Sequence, residues 1–587
     1  MKIASSQYNF AYGTQLHYPY SIGTLLAYLQ TRMDGLDILP ACVVRDQVGV
    51  HVDQVAQADV LLCSCYVWNW EITMALASAA KERNPNLFIV CGGPQVPNTP
   101  TGFFDRYPFV DALAHGEGEQ TLEAVFRRWR TGASVLGPGV STREGSGGPA
   151  ERIGDLGALP SPYTTGMIDC LTQGIVGVSW VASWETNRGC PYQCMFCDWG
   201  SATYTKLRQY PMDRLLGEIR WFSDRHTVYI DCCDGNFGIL PRDRVLARAM
   251  KETAHIFGWP KTFRQSWAKN SSEQVIEIAQ ELQDGGLLTA VGLSVQSLDA
   301  RALGIVKRKN LSFGRFSELS QQFAAAGLPT YTEVIRGLPG ETLQSFKAGL
   351  GTLATDSHIG TIYVYNCGVL PNAPMADPAY RRLHGIETVR SPIYLAHSLI
   401  HRREMPEFEE IVVATATMSR EEMQAAYLFS WAVLLGESLG LLNRIRQAFG
   451  ERGGDCVRFY DLFLRVCRTD PYAFGREFAM VRAYAAKGYA GEGWDHYDPT
   501  WGEVFWPIEE ASWLRLANDQ QLCAHLGGIA DAIADGAGIP RIERAVVEAQ
   551  VNQLARPTGT DLPAWARDTI WYGRRQRRFL KAGEPTC

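Results

Sequence analysis

Three cysteines lie within eight residues of one another in the segment GCPYQCMFCDW. Cys190, Cys194 and Cys197 have the spacing C-x3-C-x2-C. Thiolates are soft ligands that hold iron–sulfur clusters, and three of them leave one iron of a [4Fe–4S] cluster open to a substrate or cofactor. A zinc knuckle is an alternative, but zinc takes four ligands in two pairs, and the adjacent Cys232 and Cys233 are poorly spaced for the second pair. Three buried thiols without a metal are the other alternative. We predict a [4Fe–4S] cluster, with the three spaced cysteines as metal ligands and catalytic residues.

The segment CPYQCMFC resembles the signature of the radical S-adenosylmethionine (SAM) superfamily. Phe196 matches the aromatic residue that this family carries before its last cysteine. The resemblance implies that the open iron chelates the amino and carboxylate groups of SAM. It also implies that the reduced cluster cleaves SAM to a 5′-deoxyadenosyl radical. An external electron donor such as flavodoxin or ferredoxin is then expected.

Three later segments follow in the order expected of that family. DCCDGNFG resembles the segment that holds the methionyl part of SAM, GLSVQS the strand near the ribose, and EVIRGLPGET the late strand and turn near the adenine. Taken singly, an Asp-Gly-Asn sequence is typical of a turn, and the glycines of the last segment are typical of turns as well. The resemblance implies SAM contacts at Asp234, Asn236, Ser294, Gln296, Glu333 and Gly337.

The first 135 residues alternate between strands and helices. Lys2–Ser6, Asp59–Cys65 and Leu87–Gly93 are short apolar runs, which suit parallel strands buried on both faces. Glu71–Asn84 and Glu119–Arg130 have helical periodicity. This alternation predicts a Rossmann-like, doubly wound sheet in residues 1–135, with ligands at the carboxyl ends of its strands.

The rest of the chain divides into three parts. Residues 136–165 are rich in Gly, Ser and Pro, which predicts a linker. Residues 166–395 contain the strand-like pieces HTVYIDCC, LTAVGLSVQS, LPTYTEVI and GTIYVYN, which predict a partial (β/α) TIM-type barrel. Residues 396–587 read as a mainly helical domain that closes the pocket, with a capping box at Ser419-x-x-Glu422 before a long helix, Met423–Phe449. The predicted fold class is therefore α/β.

The front domain resembles the cobalamin-binding domain of one branch of the superfamily. Gly92-Gly93-Pro94 and the segment HGEGE each follow a strand, and glycines there let the backbone approach a large planar ligand. The alternative is a flavodoxin-like domain with ordinary turn glycines. The resemblance implies cobalamin contacts at Gly92, Gly93, Gly116 and Glu117.

The expected histidine ligand of cobalt is missing from this pattern. Cobalamin domains with such a ligand carry D-x-H-x-x-G in the first strand-to-helix loop, and residues 8–20 hold only His17, outside that pattern. His115 belongs to a later loop and reads as a turn histidine. We therefore expect base-off cobalamin without a protein His ligand.

The segment YVWNW after the third strand offers aromatic rings for the lower face of cobalt. A large ring there would exclude water and a sixth ligand, which favours transfer of a methyl group from cobalt. Trp68 and Trp70 are both candidates, and domain-interface aromatics are the alternative. The sequence does not distinguish between the two rings.

Several further segments have a weaker signal. Lys206 and Arg208 follow the cysteine loop and read as solvated or locally paired. Tyr363, Tyr365 and Asn366 end a late strand and are candidates for the substrate pocket. The next segment, LPNAPM, resembles one that is common in the cobalamin branch. The basic sequence RRQRRFLK near the C-terminus reads as a solvated helix face.

The composition restricts the class of protein. The chain has 587 residues, of which 46% are hydrophobic and 20% charged, which is typical of a globular protein with several domains. Its net charge of -6 argues against nucleic acid as a partner, because proteins that bind phosphates are usually basic. No apolar run reaches the roughly 18 residues of a membrane span, there is no secretory signal, and the fifteen cysteines are scattered. We expect a cytoplasmic protein that does not act at a membrane.

Together, the resemblances imply a cobalamin-dependent radical SAM C-methyltransferase. It would transfer a methyl group from SAM, via methylcobalamin, to an unactivated carbon of a natural product, an amino acid or a peptide, for example in antibiotic biosynthesis. Polar methylation of an aromatic such as tryptophan and a radical rearrangement are the alternatives among enzymes. A cobalamin or SAM sensor without catalysis is the alternative of another class.

Overall fold

The computed structural model describes residues 1–198, 206–268, 273–356, 358–399, 405–557, 559 and 561–572. The front domain is a sheet with strand order β3-β1-β4-β5-β6-β7-β8, parallel from β3 to β6 and antiparallel at β7 and β8. The strands of this sheet are β1 Lys2–Ser6, β3 Asp37–Ile38, β4 Val60–Ser64, β5 Phe88–Gly92, β6 Ala112–Ala114, β7 Val140–Thr142 and β8 Gly145–Ser146. Strand β2, Gln15–His17, follows β1 in the chain but belongs to another sheet. The helices of the front domain are α1 Tyr20–Arg32, α2 Val48–Val55, α3 Trp70–Arg83, α4 Phe103–Arg106, α5 Gly118–Arg130 and α6 Met167–Leu171.

The apolar runs of the front sheet are buried on both faces, as their composition predicts. Leu61 and Cys63 of β4 face one hydrophobic core, while Val60 and Leu62 face the other. Because neither face meets water, these strands have no polar alternation. The segment predicted as a linker contributes β7 and β8 to the edge of the sheet, so part of it is regular structure.

Parallel strands form a partial barrel behind the front domain. One sheet has the order β2-β9-β12-β13, the next has the order β14-β15-β16, and a bridge from Phe263 to Leu288 joins them. The predicted α/β fold with a partial barrel is confirmed. The barrel strands are β9 Ser179–Trp184, β12 Tyr229–Cys232, β13 Thr262–Arg264, β14 Val291–Gly292, β15 Thr330–Arg336 and β16 Thr361–Asn366. Between β9 and β12, β10 Asn187–Arg188 and β11 Arg208–Gln209 form a separate antiparallel pair. The helices are α7 Met212–Asp224, α8 Asp243–Phe257, α9 Glu273–Asp284, α10 Ala300–Ile305, α11 Phe313–Ala325, α12 Leu343–Asp356 and α13 Pro378–Leu383.

A strand of the front region completes the barrel sheet. Strand β2 pairs in parallel with β9, with His17 opposite Val181. Nothing in the local sequence separates this strand from the front domain, because its partner lies more than 160 residues later. The front domain and the barrel are therefore joined by backbone hydrogen bonds.

The C-terminal part begins with an antiparallel pair, β17 Glu387–Pro392 and β18 Phe408–Ala414. This pair spans the predicted boundary at residue 395, and the domain limits remain predictions. The helices that follow are α14 Arg420–Val433, α15 Asn443–Glu451, α16 Cys456–Thr469, α17 Ala473–Tyr489, α18 Ile508–Ala517, α19 Leu522–Ala537, α20 Arg544–Asn552 and α21 Leu562–Ala566.

The long helix predicted over 423–449 is wrong. The capping box of Ser419 and Glu422 begins α14 as predicted, but a π-helical turn, Leu434–Ser438, follows the helix. Gly440, with φ +76°, then redirects the chain before α15. The apolar pattern continues through this break because both helices are buried in the same core.

No single helix in the described part of the chain is long and apolar enough to cross a membrane. The segments Arg420–Ser438 and Asn443–Glu451 meet the length and composition criteria only as a pair bent by 95°. The basic segment RRQRRFLK lies outside the described residues.

Candidate active site

A cavity of about 880 Å³ lies between the front sheet and the barrel. Both sheets direct strand carboxyl ends at it, where parallel α/β sheets bind their ligands. The residues on either side of the cysteine loop, Gly189 and Asp198, line the cavity. Of the predicted site residues, its lining includes Trp68, Gly92, Gly93, Gly116 and Glu117.

The cysteine loop is held by backbone contacts. Gly189 has φ +126°, and a Cβ there would lie 2.6 Å from the Lys206 carbonyl oxygen, so only glycine fits. The Met195 N–H donates to the Val306 carbonyl at 3.0 Å. Cys190 and Cys194 are buried and Cys197 is half-buried.

Asn236 contacts the first cysteine directly. Its Nδ2 donates to Cys190 Sγ at 3.4 Å, and its buried Oδ1 has no hydrogen-bond partner among the described residues. A hydrogen bond to a cysteine sulfur stabilises the thiolate form that binds a cluster. The predicted SAM segment therefore delivers one side chain to the cysteine loop.

Asp234 has a different surrounding from Asn236. Its carboxylate accepts hydrogen bonds from the Thr186 N–H at 2.8 Å, the Asn187 N–H at 3.2 Å, Asn187 Nδ2 at 2.7 Å and the Thr186 hydroxyl. Burial raises the pKa of Asp234 to about 7 despite these hydrogen bonds. The residue lies outside the lining of the cavity and fixes the backbone that leads into the cysteine loop.

The two later SAM segments are joined by hydroxyl–carboxylate pairs. Ser294 Oγ donates to Glu333 at 2.6 Å, and Ser297 Oγ donates to Glu341 at 2.5 Å. Gln296 lies between the two serines with φ +64° and bridges Val334 of β15. These contacts place the segments side by side, as their order suggested.

Glu341 was not among the predicted site residues. Burial raises its pKa to about 8, and its Oε2 has no hydrogen-bond partner in the described structure. Gly337, four residues earlier, has φ +95° and packs against Met423. Glu341 belongs to the segment EVIRGLPGET, and that membership was the sequence signal that could have identified it.

Gly93 brings the front sheet backbone close to the neighbouring loop. It has φ +111°, and a Cβ there would lie 2.5 Å from the Cys65 carbonyl oxygen. Gly92 and Gly116 also line the cavity, which leaves space along this edge of the sheet. A Cβ at Gly116 would lie 2.9 Å from Ala150 Cβ, so packing within the protein already favours glycine at positions 93 and 116, and the cobalamin contacts stay predictions.

The Glu117 carboxylate is occupied by protein groups. It pairs with Arg208, lies 3.7 Å from Arg188 Nη1, and accepts a hydrogen bond from the Ile153 N–H at 3.2 Å. Although burial opposes the change, the hydrogen bonds from Arg208 and the charge of Arg188 lower the pKa of Glu117. Its predicted role as a cofactor contact is thus limited to the surface it presents to the cavity, and Arg208 is paired as expected.

Arg188 connects the front domain to the cysteine loop. Its Nη2 donates to Glu119 in the first turn of α5 at 2.7 Å, and its Nε donates to Glu185 at 3.0 Å. Glu185 also accepts a hydrogen bond from Tyr210 at 2.9 Å. Since Arg188 precedes Gly189, this network sets where the cysteine loop begins.

The structure distinguishes the two candidate tryptophans. Trp68 lines the cavity, is 36% exposed, stacks on Tyr66 at 4.4 Å and donates from Nε1 to Asn9 at 3.0 Å. Trp70 begins α3 and packs against Phe103 and Tyr107, away from the cavity. The prediction that Trp70 contacts the cofactor is therefore wrong. Trp68 lies in the loop before α3 and faces the cavity, whereas Trp70 is the first residue of the helix and its ring packs against the front-domain core.

The two histidines also separate. His115 Nε2 bonds with Ser141 Oγ at 2.9 Å inside the front sheet, as expected of a turn histidine. His17 lines the cavity from β2, with Nε2 3.8 Å from Asp231. His17 reaches this position only because β2 joins the barrel.

The segment LPNAPM bridges the barrel and the front domain. Leu370 and Pro371 line the cavity, and Asn372 Nδ2 donates to the carbonyls of Pro94 and Val96, each at 2.8 Å. The predicted pocket residues just before it, Tyr363, Tyr365 and Asn366, lie outside the lining of the cavity.

Sequence comparisons agree with both halves of this site. Residues 11–126 match the B12 binding domain, and residues 184–350 match the Radical SAM superfamily. The chain is 40% identical over 419 residues to TokK of Streptomyces tokunonensis, a cobalamin-dependent radical SAM methyltransferase, with 70% of this chain and 61% of TokK covered. It is 36% identical over 512 residues to the 2-(S-pantetheinyl)-carbapenam-3-carboxylate methyltransferase of Streptantibioticus cattleyicolor, with 83% and 74% covered.

This chain belongs to the cobalamin-dependent radical SAM methyltransferase family. The predicted enzyme type is confirmed at that level. The solved structure of the radical SAM methyltransferase TsrM from Kitasatospora setae, with cobalamin and a [4Fe-4S] cluster bound, has a TM-score of 0.55 at 14% identity and covers 83% of this chain and 99% of TsrM. That likeness shows a shared fold.

The residues present fit the cofactors of a cobalamin-dependent radical SAM methyltransferase. Three thiols lie in one loop, and Asn236 donates to the first of them while keeping a free acceptor. No three His, Cys, Asp or Glu side chains of the described chain converge on a single-ion position. A cluster does not require such convergence, because each iron binds its own thiolate. The glycine-lined edge of the front sheet and the ring of Trp68 suit a large planar ligand.

Sequence reasoning also missed several charged residues of the cavity lining, among them Arg264 and Glu409. Arg264 lies on β13 opposite Asp231, and Glu409 lies on β18. Neither belongs to a motif, so the only available signal was the position of Arg264 near the end of a barrel strand. Their importance follows from the cavity that they share.

Proposed function

We propose that this enzyme transfers a methyl group from SAM to an unactivated carbon of a small-molecule acceptor bound in the cavity. The observation that carries the proposal is one cavity lined both by the front-domain loop at Gly93 and by Gly189 and Asp198 of the cysteine loop. An alkyl carbon has no acidic proton and no lone pair, so a radical source and a methyl donor must reach the same atom. When bound, the cluster with SAM supplies the hydrogen-abstracting radical, and cobalamin supplies the methyl group.

The residues of the chain hold and orient these groups. Cys190, Cys194 and Cys197 would hold the cluster, and Asn236 would support the first thiolate from its side. Ser294 and Glu333 form a hydrogen-bonded pair that suits recognition of ribose hydroxyls. These SAM contacts remain part of the proposal.

We further propose that Trp68 covers the lower face of base-off cobalamin. Its ring borders the cavity, whereas His115 is held within the sheet by Ser141. A ring supplies no lone pair to a metal and keeps water away from it. A redox titration and electron paramagnetic resonance of cobalamin-loaded Trp68→His protein test this role. If residue 68 faces cobalt, the histidine can bind the metal, and the spectrum should then show splitting from a nitrogen ligand.

The acceptor class follows from the cavity and from the relatives. The S. cattleyicolor relative is named for a carbapenam carboxylate substrate. Arg264 lines this cavity and can bind a carboxylate through its planar guanidinium group. We propose a natural-product acceptor with a carboxylate, and an external electron donor such as flavodoxin or ferredoxin in the cytoplasm.

The experiment that tests the reaction is the product ratio of anaerobically reconstituted enzyme given SAM, reductant and a carbapenam carboxylate. Radical methylation forms S-adenosylhomocysteine and 5′-deoxyadenosine together. Polar methylation forms only the former, and a rearrangement forms only the latter, so either result contradicts the proposal.

Two separate cysteine substitutions, one in the cysteine loop and one far from it, test the cluster assignment. Cys194→Ala is expected to abolish 5′-deoxyadenosine formation while cobalamin still binds, because the front domain is unchanged. Cys523→Ala, in the half-buried, isolated position on α19, is expected to retain activity. Retained activity in Cys194→Ala contradicts the assignment of the cluster.

A further inference from the structure

Three glutamates with different surroundings lie in strand β18 or directly before it, Glu407 being the residue that precedes the strand. Successive side chains of a strand alternate between faces, so Glu407 and Glu409 share one face and Glu410 lies on the other. Glu410 is exposed and accepts a hydrogen bond from Thr388 at 2.9 Å. Glu407 and Glu409 are less exposed than Glu410, so their negative charges need partners in the protein or in a ligand.

Glu407 is compensated by protein groups. Its Oε1 accepts hydrogen bonds from Arg45 at 2.8 Å and from the Ile72 N–H at 3.1 Å, and its Oε2 accepts one from the Glu71 N–H at 2.7 Å. The two N–H groups belong to the first turn of α3, where a helix favours negative charge. This carboxylate needs no ligand.

Glu409, two residues later, has no comparable partners. It lines the cavity beside Leu370, Pro371, Ile393 and Leu395. Within the described chain its carboxylate has neither a hydrogen-bond donor nor an ion-pair partner. Burial raises the pKa of Glu409 to about 7. Glu409 is half-buried, and a partly desolvated carboxylate without a protein partner is unfavourable unless a ligand satisfies it.

Glu409 lies near the carboxyl end of the barrel strands. Gly368, two residues beyond β16, bridges Ile411 of β18, and a Cβ at Gly368 would lie 3.8 Å from Glu409 Oε2. Active sites of TIM-type barrels lie at this carboxyl end of the strands. The loop that continues from Gly368 reaches the front domain through Asn372.

We infer that Glu409 is a specificity-determining residue whose carboxylate accepts a hydrogen bond from an amide N–H of a ligand in the cavity. The inference rests on the proposed function, which brings two ligands with such groups. Cobalamin carries carboxamide side chains on its corrin ring, and the pantetheinyl arm named for the S. cattleyicolor relative contains amide bonds. A charged acceptor selects N–H groups, because a ligand without one leaves the carboxylate unpaired.

Two titrations of reconstituted, anaerobic protein test the inference. The first follows binding of 2-(S-pantetheinyl)-carbapenam-3-carboxylate by calorimetry, and the second follows uptake of hydroxocobalamin by cobalamin-free protein through its absorption. Glu409→Leu is expected to weaken binding of one of the two ligands about tenfold or more, since a hydrogen bond to a charged group is lost. Glu409→Gln keeps a neutral acceptor and is expected to weaken the same ligand by a smaller factor. Glu410→Gln, the same change on the opposite face, is expected to alter neither.

The pattern of losses identifies the donor. Weaker carbapenam binding with unchanged cobalamin uptake assigns the N–H to the acceptor, and the reverse assigns it to the cofactor. Unchanged affinities for both ligands in both Glu409 variants overturn the inference. If the wild-type protein does not bind the carbapenam, the proposed acceptor class fails, and cobalamin uptake alone then decides the role of Glu409.

Thermal stability separates a binding role from a structural one. Glu409→Leu removes a half-buried carboxylate that the described part of the protein does not satisfy, so the melting temperature without ligand is expected to rise. A fall in melting temperature together with loss of binding contradicts the inference, because it indicates that the carboxylate supports the fold.

Discussion

At the scale of single residues, carboxylates near the cysteine loop differ in what satisfies them. Two arginines hold Glu117 as an anion, and their influence lowers its pKa against the effect of burial. Asp234 accepts several hydrogen bonds, yet burial still raises its pKa to about 7. Glu341 is satisfied on one oxygen only, and burial raises its pKa to about 8. The same carboxylate group is therefore an ion-pair partner in Glu117, an acceptor that fixes backbone N–H groups in Asp234, and an incompletely satisfied group in Glu341.

Glu341→Gln is expected to stabilise the protein in a pH-dependent way. The folded pKa of Glu341 lies above its ordinary value of 4.5, so stability is full below about pH 4.5 and is lost as pH rises toward 8. The amide does not titrate, and it can still bond with Ser297. Melting temperatures of variant and wild type should agree near pH 4.5 and diverge up to about pH 8, by up to a few kcal/mol in unfolding free energy.

The control for this prediction is Glu318→Gln on the surface of α11. Glu318 is exposed and forms a surface ion pair with Arg315, so its contribution should stay below about 1 kcal/mol. A stability difference for Glu341→Gln that does not change with pH contradicts the assigned protonation.

Gly93→Ala is expected to reduce both stability and cobalamin uptake. The new Cβ would approach the Cys65 carbonyl oxygen to 2.5 Å, in a backbone conformation that disfavours side chains. We expect a loss of about 2 kcal/mol or more, measured by thermal unfolding, with hydroxocobalamin uptake measured by absorption. Gly102→Ala is the control, because Gly102 has φ +68° and open space around it. Equal effects of the two substitutions would show that close approach is unimportant.

At the scale of elements, the N-terminus of α5 links the front sheet to the cysteine loop. Glu119 lies in the first turn of this helix, where the helix dipole favours a carboxylate, and it pairs with Arg188 at 2.7 Å. This ion pair fixes the position of strand β10, which contains Arg188, relative to α5. The geometry of the cysteine loop depends on a helix that the sequence assigns to another domain.

Glu119→Gln is expected to disturb the cluster while the front domain remains folded. The substitution removes one charged partner of Arg188, which keeps Glu185 and Glu117, so we expect a cost of about 1–3 kcal/mol. The measurement is iron content after anaerobic reconstitution, alongside melting temperature. Glu123→Gln on the same helix is the control, since its pair with Arg127 is more exposed. Unchanged iron content in Glu119→Gln would refute the positioning role.

At the scale of the whole molecule, three parts of the chain meet around one cavity. The front domain contacts the barrel through β2 and through Asn372. It contacts the C-terminal part through Arg45 and Glu407. The cavity is thus formed by residues from all three parts, and its shape depends on their docking.

Glu407→Gln is expected to loosen the front domain. Arg45 and the first N–H groups of α3 lose a buried anion, so unfolding free energy should fall by about 3 kcal/mol. Limited proteolysis and melting temperature measure the change. Glu71→Gln is the control at the same interface, because the pair of Glu71 with Arg390 is largely exposed and should contribute less than about 1 kcal/mol. Similar losses in both variants would contradict a special role for Glu407.

The sequence by itself determined the features that depend on near neighbours. The spacing of Cys190, Cys194 and Cys197 is a local property, and it was enough to predict the superfamily. The buried strands of the front sheet and the capping box at Ser419 were equally local. Periodicity and short motifs carry this information because the interacting residues are close in the chain.

The tertiary structure alone decided the features that depend on distant partners. It directed Trp68 to the cavity and Trp70 to a core, and it paired Glu117 with two arginines. It also divided the predicted long helix and brought Glu409 to the cavity. In each case the surroundings of a side chain come from elements far away in sequence, and neither composition nor spacing records which elements those will be.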